Sequence, residues 1–514
     1  TAAQLAGGGV NDQTIARMAA RQAAATPALA KAVRDLQAAE RARDTARIEL
    51  AAENSKADQD RSAKRVADLR SELDASSARY DALAAKLAKS FPAYTRLSAP
   101  GPASLGAVQK ALAPDAGLLS FVIGVKGGYA LLVTKRALIV RPIDTNATAL
   151  GADIAELRKA FVPSLGQVPR FDLKTSYTLY TKLLGPFSTD LDGLQTLTVA
   201  PSAELASLPL SLLVTAPSSA DGDYADAAWL IRSMAVSEVP SARAFLSLDA
   251  ALKARKPAPQ PMLAFGAPGF SGGKNARLDT LAGACIGAGP LNPAMLRALP
   301  PLPETASEVR HVAQALGAGP GSVLLGAQAS EANLRAHNLS DYAVLYFATH
   351  GLLPGELHCQ SQPALALAPP TRATSTDTDG LLTASEVAGL NLNADLVVLS
   401  ACNTAAGGGG RFGGGALEGL ADAFFEAGAR AVLASHWEVP STRTASLMSD
   451  LFTNYGAHRS EGLAQALRQA QLTLIANPAS AHPFNWAAFT LIGDGDAAAR
   501  TKEAGGPAQT GAMK

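Results

Sequence analysis

The chain has 514 residues, of which 48% are hydrophobic and 17% are charged. These values are typical of a folded protein with a sizeable core and more than one domain, and they exclude a largely disordered chain. The 45 basic residues nearly balance the 44 acidic ones. We therefore expect no general electrostatic attraction to nucleic acid or to an anionic membrane.

The sequence contains no signal for membrane insertion or secretion. No stretch of about 20 apolar residues occurs, so no transmembrane helix is predicted. The opening TAAQLAGGGV lacks the charged and apolar regions of a signal peptide, so we expect a cytoplasmic protein. The missing initiator Met leaves open a lost leader or a longer N-terminus. The three cysteines, Cys285, Cys359 and Cys402, are too few for a disulfide framework and form no Cys-x-x-Cys zinc motif.

The first predicted region, residues 1–95, is helical. One helix is expected from Leu29 to Leu50, and the polar segment ENSKADQD predicts a turn before a second helix. The apolar stripe of that second helix consists of Val66, Leu69, Leu73, Tyr80, Leu83 and Leu87. We interpret the region as a helical hairpin or as the end of a helical repeat array. It either packs on the rest of the chain or binds a partner, such as a protein regulator.

Strand and helix patterns alternate after the proline-rich linker SFPAYTRLSAPGPASLG. In the first half, residues 96–252, we predict a hairpin that turns at Gly127-Gly128, and then a strand and a helix in LQTLTVAPSAELASLPLSLL. A Pro- and Gly-rich connection, residues 253–303, leads to the second half, residues 304–497. A disordered tail is expected at residues 498–514.

The second half repeats a buried strand followed by a helix. Strands are predicted at SVLLG, AVLYFATHG, DLVVLSAC and RAVLASHWEV, and helices at ETASEVRHVAQAL and ALEGLADAFFEAG. This alternation is typical of an α/β protein with a mainly parallel sheet and helices on both faces. In such sheets the functional groups gather beyond the carboxyl ends of the strands.

Two strand ends carry residues that suit nucleophilic catalysis. His350 follows the predicted strand Ala343–Phe347, and Cys402 follows the strand Leu396–Leu399. If the two strands are neighbours, the imidazole can take the thiol proton and the thiolate can attack a carbonyl carbon. The amides of Gly351 and Cys402 could then form an oxyanion hole.

Each of these residues also has a structural interpretation. Cys402 could be a small buried apolar residue, and His350 a hydrogen-bonded surface group. The spacing alone does not decide between these interpretations and a dyad. Cys285 and Cys359 lack the strand-end context, and we interpret both as structural.

The segments YFATHG, LVVLSACNT, EGLADAFFEAGARAVLASHWEV and HPFNWAAFTLIGDG resemble the CHAT domain. This is a caspase-like peptidase module that is often joined to tetratricopeptide repeats and is grouped with caspases, separase and gingipains. The resemblance runs from about Leu118 to Asp494. It implies a caspase-like fold in two subdomains, an inactive-like first half and an active second half. It also implies a Cys-His endopeptidase that cleaves a protein substrate without a metal or organic cofactor, with Cys402 as nucleophile and His350 as base.

Residues near these motifs are predicted to contact the substrate. His436, Trp437 and Glu438 follow the last core strand of the second half: the Trp437 ring could form an apolar wall, and Glu438 could favour a basic residue before the scissile bond. A solvated charge is the alternative for Glu438. We also include Asn403 and Asp379, although the segment TSTDTDGLL mainly predicts a turn at its glycine. Relatives commonly have an Asp after the Trp-x-Val that Trp437 begins, where this chain continues with proline.

The glycine-rich segment GGGGRFGGG permits several interpretations. Gly408, Gly410 and Gly413 satisfy G-x-G-x-x-G, with Glu438 as the ribose-binding acid of a dinucleotide site. A phosphate-binding turn should, however, begin within a residue or two of its strand. A mobile loop whose ordering couples a signal at the helical end to activity is the alternative. Arg411 is either a self-cleavage site or an exposed loop residue.

The sequence thus predicts a cysteine endopeptidase whose partners are a protein substrate and a protein regulator, with no nucleic-acid contact. The rival hypothesis is a catalytically silent caspase-like scaffold for regulated protein binding. A thiol probe separates the two hypotheses, because only the enzyme presents an activated Cys402.

Overall fold

The computed structural model describes the chain in segments. They are residues 27–54, 61–91, 103–164, 166–217, 222–254, 256–272, 291–354, 356–357, 360, 362–373, 375–401, 415–493 and 495. All three cysteines lie outside the described residues, as do Asn403, the glycine-rich segment and the predicted tail.

The N-terminal region is a hairpin of two helices, α1 (Pro27–Asn54) and α2 (Ala63–Ser90). The Ser62 side chain caps α2 by accepting a hydrogen bond of 3.2 Å from the amide of Arg65. The helices meet in an apolar cluster formed by Leu29, Val33, Leu36 and Leu87, against which Ala32, Tyr80, Leu83, Ala84 and Phe91 pack. The predicted helical hairpin is confirmed.

The rest of the described chain alternates strands and helices. The strands are β1 (Ala116–Gly124), β2 (Gly127–Thr134), β3 (Leu138–Ile143), β4 (Thr196–Ala200), β5 (Ala235–Glu238), β6 (Gln260–Pro268), β7 (Val323–Gly326), β8 (Tyr342–Ala348), β9 (Gly351–Leu352), β10 (Ala364–Ala366), β11 (Leu381–Thr383), β12 (Leu396–Leu399), β13 (Ala431–Ser435) and β14 (Phe489–Gly493). The helices are α3 (Leu105–Ala111), α4 (Ala147–Arg158), α5 (Leu173–Leu183), α6 (Ser188–Leu191), α7 (Ala242–Ala254), α8 (Pro293–Arg297), α9 (Glu304–Leu316), α10 (Glu331–Ala336), α11 (Ala384–Ala388), α12 (Gly415–Ala427), α13 (Ser441–Ala457), α14 (Leu463–Ala476) and α15 (Pro483–Trp486).

One 11-stranded sheet runs through both halves of the chain, in the order β3-β2-β1-β4-β5-β14-β13-β12-β8-β6-β7. Strands β1, β4, β5 and β14 are parallel to one another, and so are β13, β12, β8, β6 and β7. The two sets meet where β14 pairs antiparallel with β13. The predicted α/β class with a mainly parallel sheet is confirmed.

Strand β8 shows how the sheet supports a core on each face. Val344, Tyr346 and Ala348 lie in one core cluster, whereas Leu345 and Phe347 lie in the other, because successive side chains of a strand point to opposite faces. The first cluster includes buried residues of α4, α5, α9, α13 and α14, and the second includes those of α3, α7 and α12. Helices therefore cover both faces, as predicted.

The structure differs from the sequence predictions in local detail. The β1–β2 hairpin turns at Val125-Lys126, since Gly124 pairs with Gly127. Gly127 has φ of +135°, a conformation that glycine adopts without a Cβ clash. The segment after β4 forms two short 3-10 helices, Leu205–Ser207 and Leu210–Leu212, in place of an α-helix.

The largest difference is β6, which lies inside the region predicted as a connection. Its residues Met262 to Phe265 are completely buried, and the strand lies between β8 and β7. Prolines on both sides of this short apolar run made it resemble a loop.

Among the residues that the structure describes, no helix is both long and apolar enough to cross a membrane.

Candidate active site

The candidate site lies where the neighbouring strands β8 and β12 end. The two strands are parallel and pair from Leu396 with Val344 to Leu399 with Phe347. Both runs are buried on the two faces of the sheet. The description of the second strand end stops at Ala401, so Cys402 and its contact with His350 remain a prediction.

His350 is held in a defined orientation just beyond β8. Its Nε2 lies 2.8 Å from the carbonyl oxygen of Pro300, and its ring centroid lies 5.5 Å from that of Phe270. A carbonyl oxygen only accepts hydrogen bonds, so in the neutral ring Nε2 carries the hydrogen and Nδ1 keeps its lone pair. The geometry assigns Nδ1 as the basic nitrogen.

The surroundings of His350 favour its neutral form. Burial lowers the pKa of the imidazole below its usual value, while the hydrogen bond to Pro300 and the negative charge of Glu438 oppose this shift. The net direction is downward. A neutral imidazole at physiological pH is the state that a general base requires.

A small three-stranded sheet, in the order β11-β10-β9, supports the backbone beside His350. The carbonyl of His350 accepts a hydrogen bond of 2.9 Å from the amide of Ala366, and the buried Thr349 hydroxyl donates to the Ala366 carbonyl. Gly351 is buried and pairs with Leu365. Its predicted role as an oxyanion donor stays a prediction.

Trp437 does not line an open groove, contrary to the prediction that its ring forms an apolar wall. The side chain is 2% exposed and stacks on Phe161, with ring centroids 3.8 Å apart and an interplanar angle of 1°. Its Nε1 donates a hydrogen bond of 2.9 Å to the carbonyl of Phe484. Because the indole N–H has a buried hydrogen-bond acceptor, the whole ring can be buried in the core without an unsatisfied donor.

The neighbours of Trp437 differ from it and from each other. His436 is half-buried, and burial together with Arg158 lowers its pKa to about 3. Its Nε2 lies 3.0 Å from the Thr490 hydroxyl. Glu438 is exposed, and its charge raises the pKa of His350 and of Glu356. The structure therefore brings Glu438, but not Trp437, into electrostatic contact with the candidate base.

Glu356 is an acidic residue near the site that sequence reasoning missed. It is half-buried, its Oε2 accepts a hydrogen bond of 2.9 Å from the amide of Leu353, and burial is the main cause of its raised pKa. Pro300 and Phe270 were also missed, because they lie in the region predicted as a connection. No local pattern distinguishes Pro300 and Phe270, since only the folded chain brings them near His350.

Asp379 has a structural role in the described chain. Its Oδ1 accepts a hydrogen bond of 2.9 Å from the amide of Leu381, and its Oδ2 accepts one of 2.8 Å from Leu291. Gly380 follows with φ of +98°, so the predicted turn is present. Burial raises the pKa of the Asp379 carboxyl.

Comparisons with known proteins place this geometry in context. A family model described as the CHAT domain matches residues 173–494. A segment of 115 residues is 36% identical to tetratricopeptide repeat protein 28 of Mus musculus, covering 22% of this chain and 4% of the mouse protein. The match thus spans only a small part of that relative.

Two solved structures are also similar to this chain. The Arg-specific cysteine proteinase gingipain R has 8% sequence identity and a TM-score of 0.34, covering 68% of this chain and 74% of gingipain. The Saccharomyces cerevisiae separase–securin complex has 11% identity and a TM-score of 0.39, covering 78% of this chain and 31% of the matched chain. The family model extends over more than half of the sequence, and the protein therefore belongs to the CHAT domain family.

Proposed function

We propose that the protein is a caspase-like cysteine endopeptidase in which His350 activates Cys402. The observation that carries this proposal is the register of β8 and β12. Each paired residue on β12 follows its partner by 52 positions, and Cys402 follows His350 by the same 52 positions. Continuation of the parallel register past the strand ends would bring sulfur and imidazole side by side.

The chemistry follows from the orientation of His350. Its Nδ1 takes the proton of the thiol, and the resulting thiolate attacks the carbonyl carbon of a peptide bond. The amides of Gly351 and Cys402 would stabilise the oxyanion of the tetrahedral intermediate. His350 then gives the proton to the leaving amine, a thioester remains on sulfur, and a water molecule deprotonated by His350 hydrolyses it.

The charges near His350 support a preference for a basic residue before the scissile bond. Glu438 and Glu356 interact electrostatically with each other, and Glu438 also interacts with His350. Glu438, which acts on the base, together with the neighbouring Glu356 would favour a cationic side chain. Asn403 stays a proposed substrate contact, and Asp379 is proposed to support the site through the loop at Leu291.

The N-terminal hairpin is proposed to bind a protein regulator. Arg41 of α1 forms an ion pair with Glu426 of α12, at an Nη1–Oε1 distance of 2.5 Å. Helix α12 is the first described element after the glycine-rich segment. A partner that displaces the hairpin on binding would therefore also affect the position of α12, the helix that follows the proposed nucleophile in the chain.

A covalent probe tests the proposed enzyme. We would treat the wild type, Cys402→Ala and His350→Ala with an acyloxymethyl ketone that carries a short arginyl peptide, and map the adduct by mass spectrometry. We expect labelling of Cys402 in the wild type, none in Cys402→Ala, and labelling slowed by at least about 100-fold in His350→Ala. Absence of labelling, with arginyl and non-basic peptides alike, would favour the silent scaffold. If Cys402 is labelled, an unbiased cleavage screen that compares the wild type with Cys402→Ala would identify protein substrates.

A further inference from the structure

A buried carboxyl group joins the two strands that lead to the candidate site. Glu308 of α9 is 2% exposed. Its Oε1 accepts hydrogen bonds from the hydroxyl of Tyr346, at 2.6 Å, and from the hydroxyl of Ser400, at 2.5 Å. Tyr346 lies in β8, four residues before His350, and Ser400 directly follows β12. One carboxylate oxygen thus connects both strand ends.

Helix α9 gives this carboxyl a fixed position. The Thr305 hydroxyl accepts a hydrogen bond of 2.8 Å from the amide of Ala267, at the end of β6. A Cβ added at Gly266 would lie 3.1 Å from both methyl groups of Val309, so the absence of a side chain at Gly266 favours the close approach of helix and strand. The helix is therefore anchored to the sheet on both sides of Glu308.

Such an arrangement costs stability, and packing alone does not require it. Among the described residues, no ion pair involves Glu308. Burial raises the pKa of its carboxyl to about 7, although the hydrogen bonds from Ser400 and Tyr346 oppose the shift. An apolar side chain of similar volume would fill the space without this desolvation cost. The two hydrogen bonds are what the carboxyl adds.

We propose that Glu308 is a positioning residue that holds the ends of β8 and β12 together and so sets the separation of His350 and Cys402. The inference rests on the endopeptidase function proposed above for its catalytic consequence. It goes beyond that function because Glu308, Tyr346 and Ser400 are buried and are not among the residues proposed to act on or contact the substrate. Small errors in the separation of nucleophile and base are expected to slow the chemical step more than substrate binding.

Variants that remove the hydrogen bonds separately test the proposal. Tyr346→Phe and Ser400→Ala each delete one donor, Glu308→Leu deletes the shared acceptor, and Glu308→Gln keeps a carbonyl oxygen that can accept both bonds. We expect kcat to fall about tenfold or more in the Tyr346→Phe, Ser400→Ala double variant and in Glu308→Leu, with KM changed by less than about twofold. Glu308→Gln should restore kcat to within about threefold of the wild type.

A matched control separates positioning from general stability. Ser176 is another buried hydroxyl, donating to the Leu212 carbonyl at 3.0 Å and accepting from the Val214 amide at 3.0 Å, far from β8 and β12 in sequence. Ser176→Ala should lower the melting temperature but leave kcat per folded molecule unchanged. A kcat of folded Glu308→Leu equal to that of wild type would overturn the proposal.

A second measurement does not depend on activity. Hydrogen exchange of the peptides covering 342–348 and 396–401 should become about tenfold faster in the folded double variant, and not in Ser176→Ala. Unchanged exchange overturns the proposal. If the wild type never reacts with the probe but exchange rises at both strand ends, the endopeptidase function fails and the positioning role of Glu308 stands.

Discussion

The main sheet contains two sets of parallel strands, and the strands of one set run antiparallel to those of the other. Strand β14 is parallel to β5 and antiparallel to β13, so the carboxyl ends of the first set of strands lie at one edge of the sheet and those of the second set at the other. The functional groups of an α/β sheet gather at carboxyl ends. The protein therefore has two candidate edges, and their residues differ.

The sequences at the two edges show the difference. Glu-Val-Pro-Ser leads into a helix in both halves, but Glu238 is the last residue of β5 and is 6% exposed, whereas Glu438 lies beyond the end of β13 and is exposed to solvent. Strand β4 is followed by Pro201-Ser202, whereas β12 is followed by Ser400-Ala401-Cys402. Strand β1 continues into a hairpin, whereas β8 ends two residues before His350. Of the strand ends compared, the one after β8 carries the proposed base, His350.

The first half nevertheless stabilises the second through an aromatic contact surface. Phe161 stacks on Trp437, and Trp229 meets Trp486 edge to face with centroids 5.3 Å apart. Arg468 of α14 donates a hydrogen bond of 2.7 Å from Nε to the Ile231 carbonyl. The first half is thus part of the structural support of the candidate site.

The largest expected effect comes from removing the proposed base, His350, at one of the two edges. His350→Ala should reduce the rate of Cys402 labelling by at least about 100-fold, because the thiol loses its base. Ser202→Ala, just beyond β4 at the other edge of the sheet, should leave the rate unchanged. Equal effects of the two substitutions on folded protein would contradict the assignment of His350 as the base.

The contact between the halves predicts a large effect on stability. Trp437→Ala removes a buried ring that packs on the other half, and we expect the free energy of unfolding to fall by about 3–5 kcal/mol. Trp437→Phe should lose less, and Tyr129→Ala, at a side chain that is 57% exposed, should change stability by less than about 0.5 kcal/mol. Chemical denaturation monitored by circular dichroism measures these differences. Little loss in Trp437→Ala would mean that the two halves are stable independently.

Because the carboxyl of Glu308 is buried in the second half, we expect the free energy of unfolding to depend on pH. Its pKa is raised from 4.5 to about 7 in the folded protein, so between these values the folded state holds a proton that the unfolded state has released. Stability should therefore decrease as pH rises from about 4.5 to 7, by on the order of 3 kcal/mol. Glu308→Gln should make this decrease smaller, as measured by denaturation at pH 5 and pH 8; Glu331, whose pKa is raised to about 8, contributes a decrease of the same sign in both proteins. The same slope in both proteins would contradict the assignment.

The smallest expected effect concerns Glu438. Its negative charge raises the pKa of His350, so Glu438→Gln should lower that pKa and move the acidic limb of the labelling profile to lower pH. The shift should be small, because Glu438 is exposed and screened by water and salt. Glu238→Gln, at the end of β5 in the first half, should not move the limb. A shift to higher pH would have the wrong sign for this interaction.

Much of the fold could be predicted because its signals are local. Buried apolar runs marked β8 and β12, and a period of 3.6 residues marked α9 and α12, since a helix or strand that packs on a core repeats its apolar residues at a fixed spacing. Strand β6 was missed because flanking prolines obscured a short run. The positions of His350 and Cys402 after strands were equally local, and they led to the candidate site.

The sequence by itself determined the α/β class, the helical hairpin, the family resemblance and the two residues proposed for catalysis. Only the tertiary structure decided the opposite directions of the two halves, the burial of Trp437, the contact of His350 with Pro300 and the hydrogen bonds of Glu308 to Tyr346 and Ser400. The physical reason is the range of the interactions. Periodicity reflects the neighbours of a residue along the chain, whereas the orientation and charge of a buried group depend on partners that folding brings from distant positions.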